Sequence, residues 1–199
     1  MDARPCAHSE FSYLLAETAR DADLERALSD AVIAMTNAPQ FITDAMLGKL
    51  TKWLRVMGMD VMYDPDTTDA LLLQCAERGG RIFLTRDCRL TQRRLPARLL
   101  YVESDYYHEQ VRQVVQAFHL ADRIQVFTRC LRCNTLLRTI AKEVVAERVP
   151  PYVYATQTTF KHCPTCNRLY WGGTHRDNML RQLQTMLSGL LTFSPGTLP

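Results

Sequence analysis

The sequence predicts an α/β protein in which a parallel sheet flanked by helices is followed by a small C-terminal module built on four cysteines. Two observations lead to this fold class. Between residues 40 and 125, short apolar strands alternate with amphipathic helices, which is the order typical of parallel α/β topology. After residue 125 the pattern changes to short strand-like pieces around two C-x-x-C pairs. A chain of 199 residues is long enough for one domain plus such a module.

Residues 1–39 are predicted to form a helical N-terminal extension, because leucines recur at helical spacing over 9–36. Nothing in this segment suggests chemistry, and it would either cover a site or bind a protein partner. Pro39 ends the pattern, and the buried strand that follows, Phe41-Ile42-Thr43, leads directly into Asp44.

A helix is predicted after Asp44, with an apolar face through Met57 and a stop at Gly58. The strand and helix order then repeats, which gives a domain over 40–125. The remaining predicted elements are a strand at about 60–63, a helix at about 69–78, strands at about 81–85 and 99–102, and a helix at about 107–119. A four-cysteine ribbon is predicted over 126–182. The last helix is predicted over about 175–191, with its apolar face packed on the body of the protein. Its end and the tail form a final segment, 183–199.

Acidic residues follow the predicted strands. Because parallel strands end at one edge of a sheet, we expect Asp44, Asp87 and Asp105 to gather there. Asp69 begins the second helix, and Thr85 could orient a ligand through its hydroxyl. Clustered carboxylates can hold divalent cations against a phosphate, although each aspartate alone also fits a helix cap or turn. Asp105 fits a helix start equally well, and three other aspartates are assigned to turns: Asp60, Asp64 and Asp66.

The two cysteine pairs, Cys130-Leu-Arg-Cys133 and Cys163-Pro-Thr-Cys166, are separated by 29 residues. This spacing favours a tetrahedral zinc site over a redox pair or two disulfides. Asn134 and Asn167 each follow a pair, and asparagine tolerates the left-handed conformation that a tight metal-binding turn needs. Four thiolates leave no open coordination position, so the zinc would be structural.

The charge is concentrated in the cysteine module. Residues 126–181 carry nine basic and three acidic side chains, whereas 1–40 carry three and seven, within a net charge of +3. These basic residues, with an arginine run over 86–98, suit a phosphate backbone or simply form a solvated face.

Composition and segment hydropathy indicate a soluble, cytoplasmic protein. No segment reaches the roughly 18 apolar residues that a membrane span needs. The first twenty residues contain three acids and lack an apolar core, which argues against a secretory signal. We therefore expect no membrane association.

Four motifs occur in a familiar order: DAMLGKLTKWLR at 44–55, LTRD at 84–87, RCLRCN at 129–134 and CPTCNRLYWGGTH at 163–175. This set resembles the PIN-like RNase domain named for the carboxy terminus of the exonuclease mut-7, over about residues 40–182. The resemblance implies a PIN-like α/β sandwich with a fused zinc ribbon and RNA as substrate. It also implies a metal-dependent RNase activity, with Mg²⁺ or Mn²⁺ held by Asp44, Asp69 and Asp87.

The remaining roles follow from this hypothesis. Basic residues near the acidic edge are expected to contact RNA: Lys49, Lys52, Arg55, Arg86, Arg89 and Arg93. Tyr170, Trp171 and His175 would either stack on RNA or pack on the ribbon. A noncatalytic RNA-binding or adaptor protein with the same shell is the alternative, and a toxin-like nuclease held by an antitoxin is a third possibility.

Overall fold

The computed structural model describes residues 39–91 and 98–190, so the predicted N-terminal helix, Arg93 and the end of the chain lie outside the described residues. The centre is a four-stranded, fully parallel sheet with strand order β2-β1-β3-β4. Its strands are β1 (Phe41–Thr43), β2 (Val61–Tyr63), β3 (Ile82–Thr85) and β4 (Leu99–Tyr101). The predicted strands are therefore confirmed, each within one residue at either end.

Helices cover both faces of this sheet. They are α1 (Gly48–Val56), preceded by a 3-10 turn, α2 (Asp69–Arg78), α3 (Cys88–Thr91) and α4 (Tyr107–Ala117). Neighbouring residues of a strand point to opposite faces. Phe41 accordingly lies in the core shared with α1 and α4, whereas Ile42 packs with Leu72 and Ala76 of α2. The predicted α/β class, a parallel sheet flanked by helices, is confirmed.

The cysteine module is a three-stranded antiparallel sheet with order β5-β6-β7. Its elements are β5 (Arg138–Ile140), α5 (Pro151–Thr156), β6 (Phe160–His162) and β7 (Leu169–Trp171). Val145, Val149 and Phe160 form a small separate core. The module ends in α6 (Thr174–Met186), whose buried Met179 and Leu183 belong to the main core, as the apolar face predicted.

Helix α6 ends five residues before the predicted end. Arg112 donates hydrogen bonds to the carbonyl oxygens of Met186 and Ser188, at 2.8 and 3.0 Å, which satisfies the end of the helix. Gly189 then takes a φ of +80°, which turns the chain away. Leu190 therefore fits the apolar pattern without being helical.

The junction between the two sheets is closely bonded to α1. The amides of Gln125 and Phe127 donate to the carbonyls of Met57 and Val56, both at 2.9 Å. Gly58 has a φ of +87°, and a Cβ there would lie 2.4 Å from the Gln125 carbonyl oxygen, so only glycine allows this approach. The predicted boundary at 125/126 thus falls in a docked segment. Within the described ranges, no helix has the length and apolar character of a membrane span.

Candidate active site and metal centre

The acidic residues follow two adjacent central strands. β1 and β3 are neighbours, but the chain leaves β1 towards β2 on one side and leaves β3 towards β4 on the other. This divergence makes the carboxyl ends of the two strands a topological switch point, where α/β proteins bind ligands. Asp44 follows β1, Thr85 ends β3 and Asp87 comes two residues later.

Asp44 is fixed by hydrogen bonds and is only 3% exposed. Its Oδ1 accepts the amide of Met46 at 2.9 Å, while its Oδ2 accepts the Thr85 hydroxyl at 2.7 Å and the Arg86 amide at 2.8 Å. The Thr85 oxygen in turn accepts the amide of Asp87 at 2.9 Å. Thr85 therefore links Asp44 to Asp87, and its hydroxyl orients the Asp44 carboxylate.

Asp69 completes the acidic group from the first turn of α2. Its side chain forms no hydrogen bond with the described residues. Burial raises its pKa above 3.8, and the negative charges of Asp44 and Asp87 raise the pKa further. These three aspartates, defined here as the acidic cluster, therefore share one region of negative potential.

Two other charged pairs lie at the same edge. Arg89 forms a two-pronged ion pair with Asp87, with Nη2 to Oδ2 at 2.9 Å and Nε to Oδ1 at 3.0 Å. Asp105, whose side chain is 86% exposed, pairs with the Nη2 of Arg86 at 2.5 Å. The structure thus brings together Asp44, Asp69 and Asp87, and pairs Asp105 with Arg86 instead.

The acidic cluster has the oxygen donors that Mg²⁺ and Mn²⁺ prefer. The ligand oxygens of its three carboxylates do not all lie within 4.8 Å of one another. In the described part of the chain, the four cysteines are the group whose ligand atoms do. Binding of one cation by all three would require Asp87 to exchange Arg89 for the ion. Because the Arg89 side chain is 82% exposed, losing this pair costs little.

The four cysteines converge on one point. Ligand sulfurs of Cys130, Cys133, Cys163 and Cys166 lie within 4.8 Å of one another, and three of the separations are 3.2, 3.3 and 3.6 Å. Sulfurs about 2.3 Å from a tetrahedral zinc would lie nearly 4 Å apart. The cysteines are free thiols, two of them buried. The cluster could therefore hold a metal ion such as zinc.

The two halves of this centre repeat one backbone pattern. In the first knuckle (residues 130–135) the amide of Asn134 donates to the carbonyl of Cys130 at 3.0 Å. In the second knuckle (residues 163–168) Asn167 donates to Cys163 at 2.9 Å. Both asparagines are left-handed, with φ of 67° and 57°, as their positions after the cysteine pairs predict.

Tyr170 supports the cluster from β7. Its hydroxyl lies 3.1 Å from the sulfur of Cys130 and accepts the Leu131 amide at 3.2 Å. Burial opposes ionisation of Cys130, but hydrogen bonds from Tyr170 and from nearby amides lower its pKa to about 6. Such second-layer contacts orient metal ligands. The packing interpretation therefore fits Tyr170, while Trp171 is 38% exposed.

The predicted RNA contacts differ in accessibility. Lys49, Lys52 and Arg89 are exposed. Arg86 is partly buried, since it also donates to the carbonyl of Ser104. Arg93 lies outside the described residues.

The prediction that Arg55 contacts RNA is wrong, because this side chain is 4% exposed. Its Nε and Nη2 donate to the carbonyl of Val61 at 3.0 and 2.7 Å. Its Nη1 donates to the carbonyls of Leu131 and Arg132 at 3.1 and 2.8 Å, inside the first knuckle. Arg55 thus fastens the cysteine module to the sheet.

The sequence interpretation missed Asp60, which was assigned to a turn. Asp60 is an ion-pair centre between the sheet and the first knuckle: Arg81 binds its Oδ1 at 2.6 Å, Arg129 approaches its Oδ2 at 3.4 Å, and Asn134 donates to Oδ1 at 2.8 Å. Burial alone would raise the pKa of Asp60, but these partners lower it. All three lie 21 or more residues away, so no local pattern indicates the contact.

Comparison with known proteins gives one family match. Residues 39–183 match the family model described as the Mut7-C RNAse domain, a range that includes the acidic cluster and all four cysteines. No curated protein and no solved structure matches the chain. Since the family model spans more than half of the chain, the protein belongs to the Mut7-C RNase domain family.

Proposed function

We propose that this protein is a metal-dependent ribonuclease that hydrolyses phosphodiester bonds of RNA. The family supports RNase activity in general. The observation that carries the assignment to residues is geometric: the Thr85 hydroxyl links the Asp44 carboxylate to the Asp87 amide at the carboxyl ends of β1 and β3. The charges of Asp44 and Asp87 also act on Asp69 and raise its pKa, after burial. Carboxylates that repel one another at a switch point are stabilised by a divalent cation, and Mg²⁺ or Mn²⁺ suits these donors.

A divalent cation bound there would activate a water and offset charge on the departing oxygen. Thr85 holds the Asp44 carboxylate in one orientation. The Asp69 side chain, which has no hydrogen bond within ranges 39–91 and 98–190, can turn towards the ion. When Asp87 exchanges its partner, the Arg89 guanidinium remains at the same edge. It can then bind a phosphate oxygen through two parallel hydrogen bonds.

We further propose zinc for the four-cysteine cluster, in a structural role. Four thiolates fill a tetrahedral shell and leave no position for a substrate or water. Hydrogen bonds from Arg55 to the first knuckle, and from the Val61 amide to the side-chain oxygen of Asn134, connect this shell to the sheet. The metal would therefore stabilise the docked module and contribute no chemistry.

The test is replacement of Asp69 by asparagine. Asp69→Asn removes one charge and no hydrogen bond in the described chain, whereas the same change at Asp44 would disturb three hydrogen bonds. With labelled RNA and Mn²⁺, we expect cleavage to fall about 100-fold or more, the scale of losing a group that stabilises a transition state. Asp66→Asn, the same change at an exposed residue of the preceding loop, is the control. Full cleavage by Asp69→Asn would contradict the assignment.

A noncatalytic RNA-binding or adaptor protein is the second candidate. The ion pairs Asp87–Arg89 and Asp105–Arg86 favour it, because they neutralise two acids without any metal. This alternative predicts that the wild-type protein binds labelled RNA and returns it intact in Mg²⁺ or Mn²⁺. It also predicts that Mn²⁺ binding, measured by calorimetry, is as weak in the wild type as in Asp69→Asn.

A further inference from the structure

The cysteine module carries an open cavity of about 350 Å³, within the ~300–1,000 Å³ range of small-ligand pockets. Every lining residue belongs to the module and none to the acidic cluster. They are Arg148, Asn167, Arg168, Leu169, Tyr170 and Trp171. We call this cavity the ribbon pocket. It forms on the second knuckle and β7, so the turn around Cys163 fixes its shape.

Two arginines of the ribbon pocket keep their positive charge uncompensated. The Nη2 of Arg148 donates to the carbonyl and side-chain oxygens of Asn167, at 2.8 and 3.0 Å. These partners are neutral, so they position the guanidinium without cancelling its charge. Arg168 is exposed, and neither arginine forms an ion pair in the part of the chain that the structure describes. One oriented guanidinium, that of Arg148, beside a second exposed one suits an anion such as phosphate.

An aromatic surface adjoins these charges. Trp171 ends the edge strand β7 and is 38% exposed, whereas Trp53, the other tryptophan of the chain, is 7% exposed in the core. The preceding residue, Tyr170, is anchored by its hydroxyl at the cysteine cluster, which holds this part of β7 in place. An exposed indole beside two arginines, on a strand that Tyr170 anchors, provides a stacking platform for a base and contacts for its phosphates.

We propose that the ribbon pocket binds a nucleotide of single-stranded RNA, with Trp171 stacked on the base and Arg148 and Arg168 on the flanking phosphates. This inference rests on the proposed RNA substrate but not on the acidic cluster. The pocket would bind the RNA strand at a point outside the acidic cluster. Single-stranded RNA fits better than a duplex, because a stacked base must be free of its own neighbours.

The experiment measures binding of a fluorescein-labelled short oligouridylate by anisotropy, without divalent cations or chelator, so that cleavage does not interfere. Trp171→Ala should weaken binding about 5- to 150-fold, the range for losing one stacked base, and Trp171→Phe should retain most of it. The double variant Arg148→Ala/Arg168→Ala should reduce the slope of log K against log salt by about 1.4, since each single-strand phosphate contact contributes about 0.7.

Matched controls separate this pocket from general surface effects. Tyr152→Ala removes a more exposed aromatic of the same module, and Arg78→Ala removes one exposed positive charge from α2. Both should bind as the wild type. The circular dichroism spectrum and the zinc content of every variant must match those of the wild type. In a Trp53→Phe protein the tryptophan fluorescence comes from Trp171 alone, and we expect oligouridylate to quench it.

Unchanged affinity and salt slope in the pocket variants would overturn the inference, as would equal losses in the controls or no quenching of Trp171. A failure of this kind is distinct from failure of the ribonuclease proposal. The latter is judged by cleavage in Asp69→Asn, a residue outside the pocket.

Discussion

Replacing Arg55 by methionine should loosen the attachment of the cysteine module to the sheet. Methionine keeps an unbranched apolar stem of similar length but cannot donate hydrogen bonds. The substitution leaves three buried or partly buried carbonyl oxygens without this donor: those of Val61, Leu131 and Arg132. Two of them lie between the first pair of cysteines, so the change acts directly on the first knuckle.

The magnitude follows from those three carbonyls. Each of the three carbonyl oxygens that loses its donor costs about 1 kcal/mol net, which gives roughly 3 kcal/mol of unfolding free energy. Removing a buried guanidinium returns part of this, because burial disfavours its charged form and lowers the pKa of Arg55. We therefore expect a loss of about 2–3 kcal/mol. For a chain of this size that lowers Tm by roughly 4–12 °C.

Thermal unfolding followed by circular dichroism measures this loss, with Lys52→Met as the matched control. Lys52 is on α1 one turn before Arg55, is exposed and has no hydrogen bond or ion pair in the described structure. A second readout is metal release to a chromophoric chelator, since loss of a group that orients metal ligands typically weakens binding 10- to 100-fold. Our account of Arg55 is refuted if both variants melt within about 2 °C of each other and release metal at the same rate.

Three further perturbations test the site and the centre. Asp69→Asn should raise Tm at pH 7 and have no effect below pH 3.8, the ordinary pKa of an aspartate, as melting curves at both pH values will test. The pKa of Asp69 is raised in the folded state, so its ionised carboxylate opposes folding only at higher pH. Asn134→Gly should cost about 1–3 kcal/mol more than Asn167→Gly in urea unfolding, because glycine suits both turns but only Asn134 bonds to the sheet domain. Tyr170→Phe should raise the pKa of Cys130 above its value of about 6, so protons compete better with the metal for this thiolate. When the protein is acidified, the variant should release half of its metal at a higher pH than the wild type.

The predictions that succeed depend on local or topological rules. Parallel topology alone places residues after β1 and β3 at one edge, so the sequence is enough to predict that Asp44 and Asp87 meet. The spacing of the cysteine pairs likewise predicts their convergence. The left-handed φ of Asn134 and Asn167 follows from backbone sterics at a tight turn.

The predictions that fail or fall short concern contacts between distant parts of the chain. Arg55 has the same helical setting as Lys49 and Lys52, and only its partners 76 and 77 residues away show that it is structural. Asp60 likewise has the local pattern of a turn residue, and only its distant partners show its role as an ion-pair centre. The ion pair of Asp87 with Arg89 spans two residues, but its geometry depends on the side-chain conformations, which periodicity does not encode.

The separation of the two knuckles along the chain has a further consequence for the unfolded protein. The first pair of cysteines is held by contacts with the sheet, whereas the second pair belongs to the antiparallel ribbon, and 29 residues lie between them. A metal ion joining both pairs acts as a cross-link in any state that retains it. By analogy with disulfides, closing a loop of this length removes unfolded-chain entropy worth roughly 3–4 kcal/mol. Part of the stability of this protein would then arise because the metal lowers the conformational entropy of the unfolded chain.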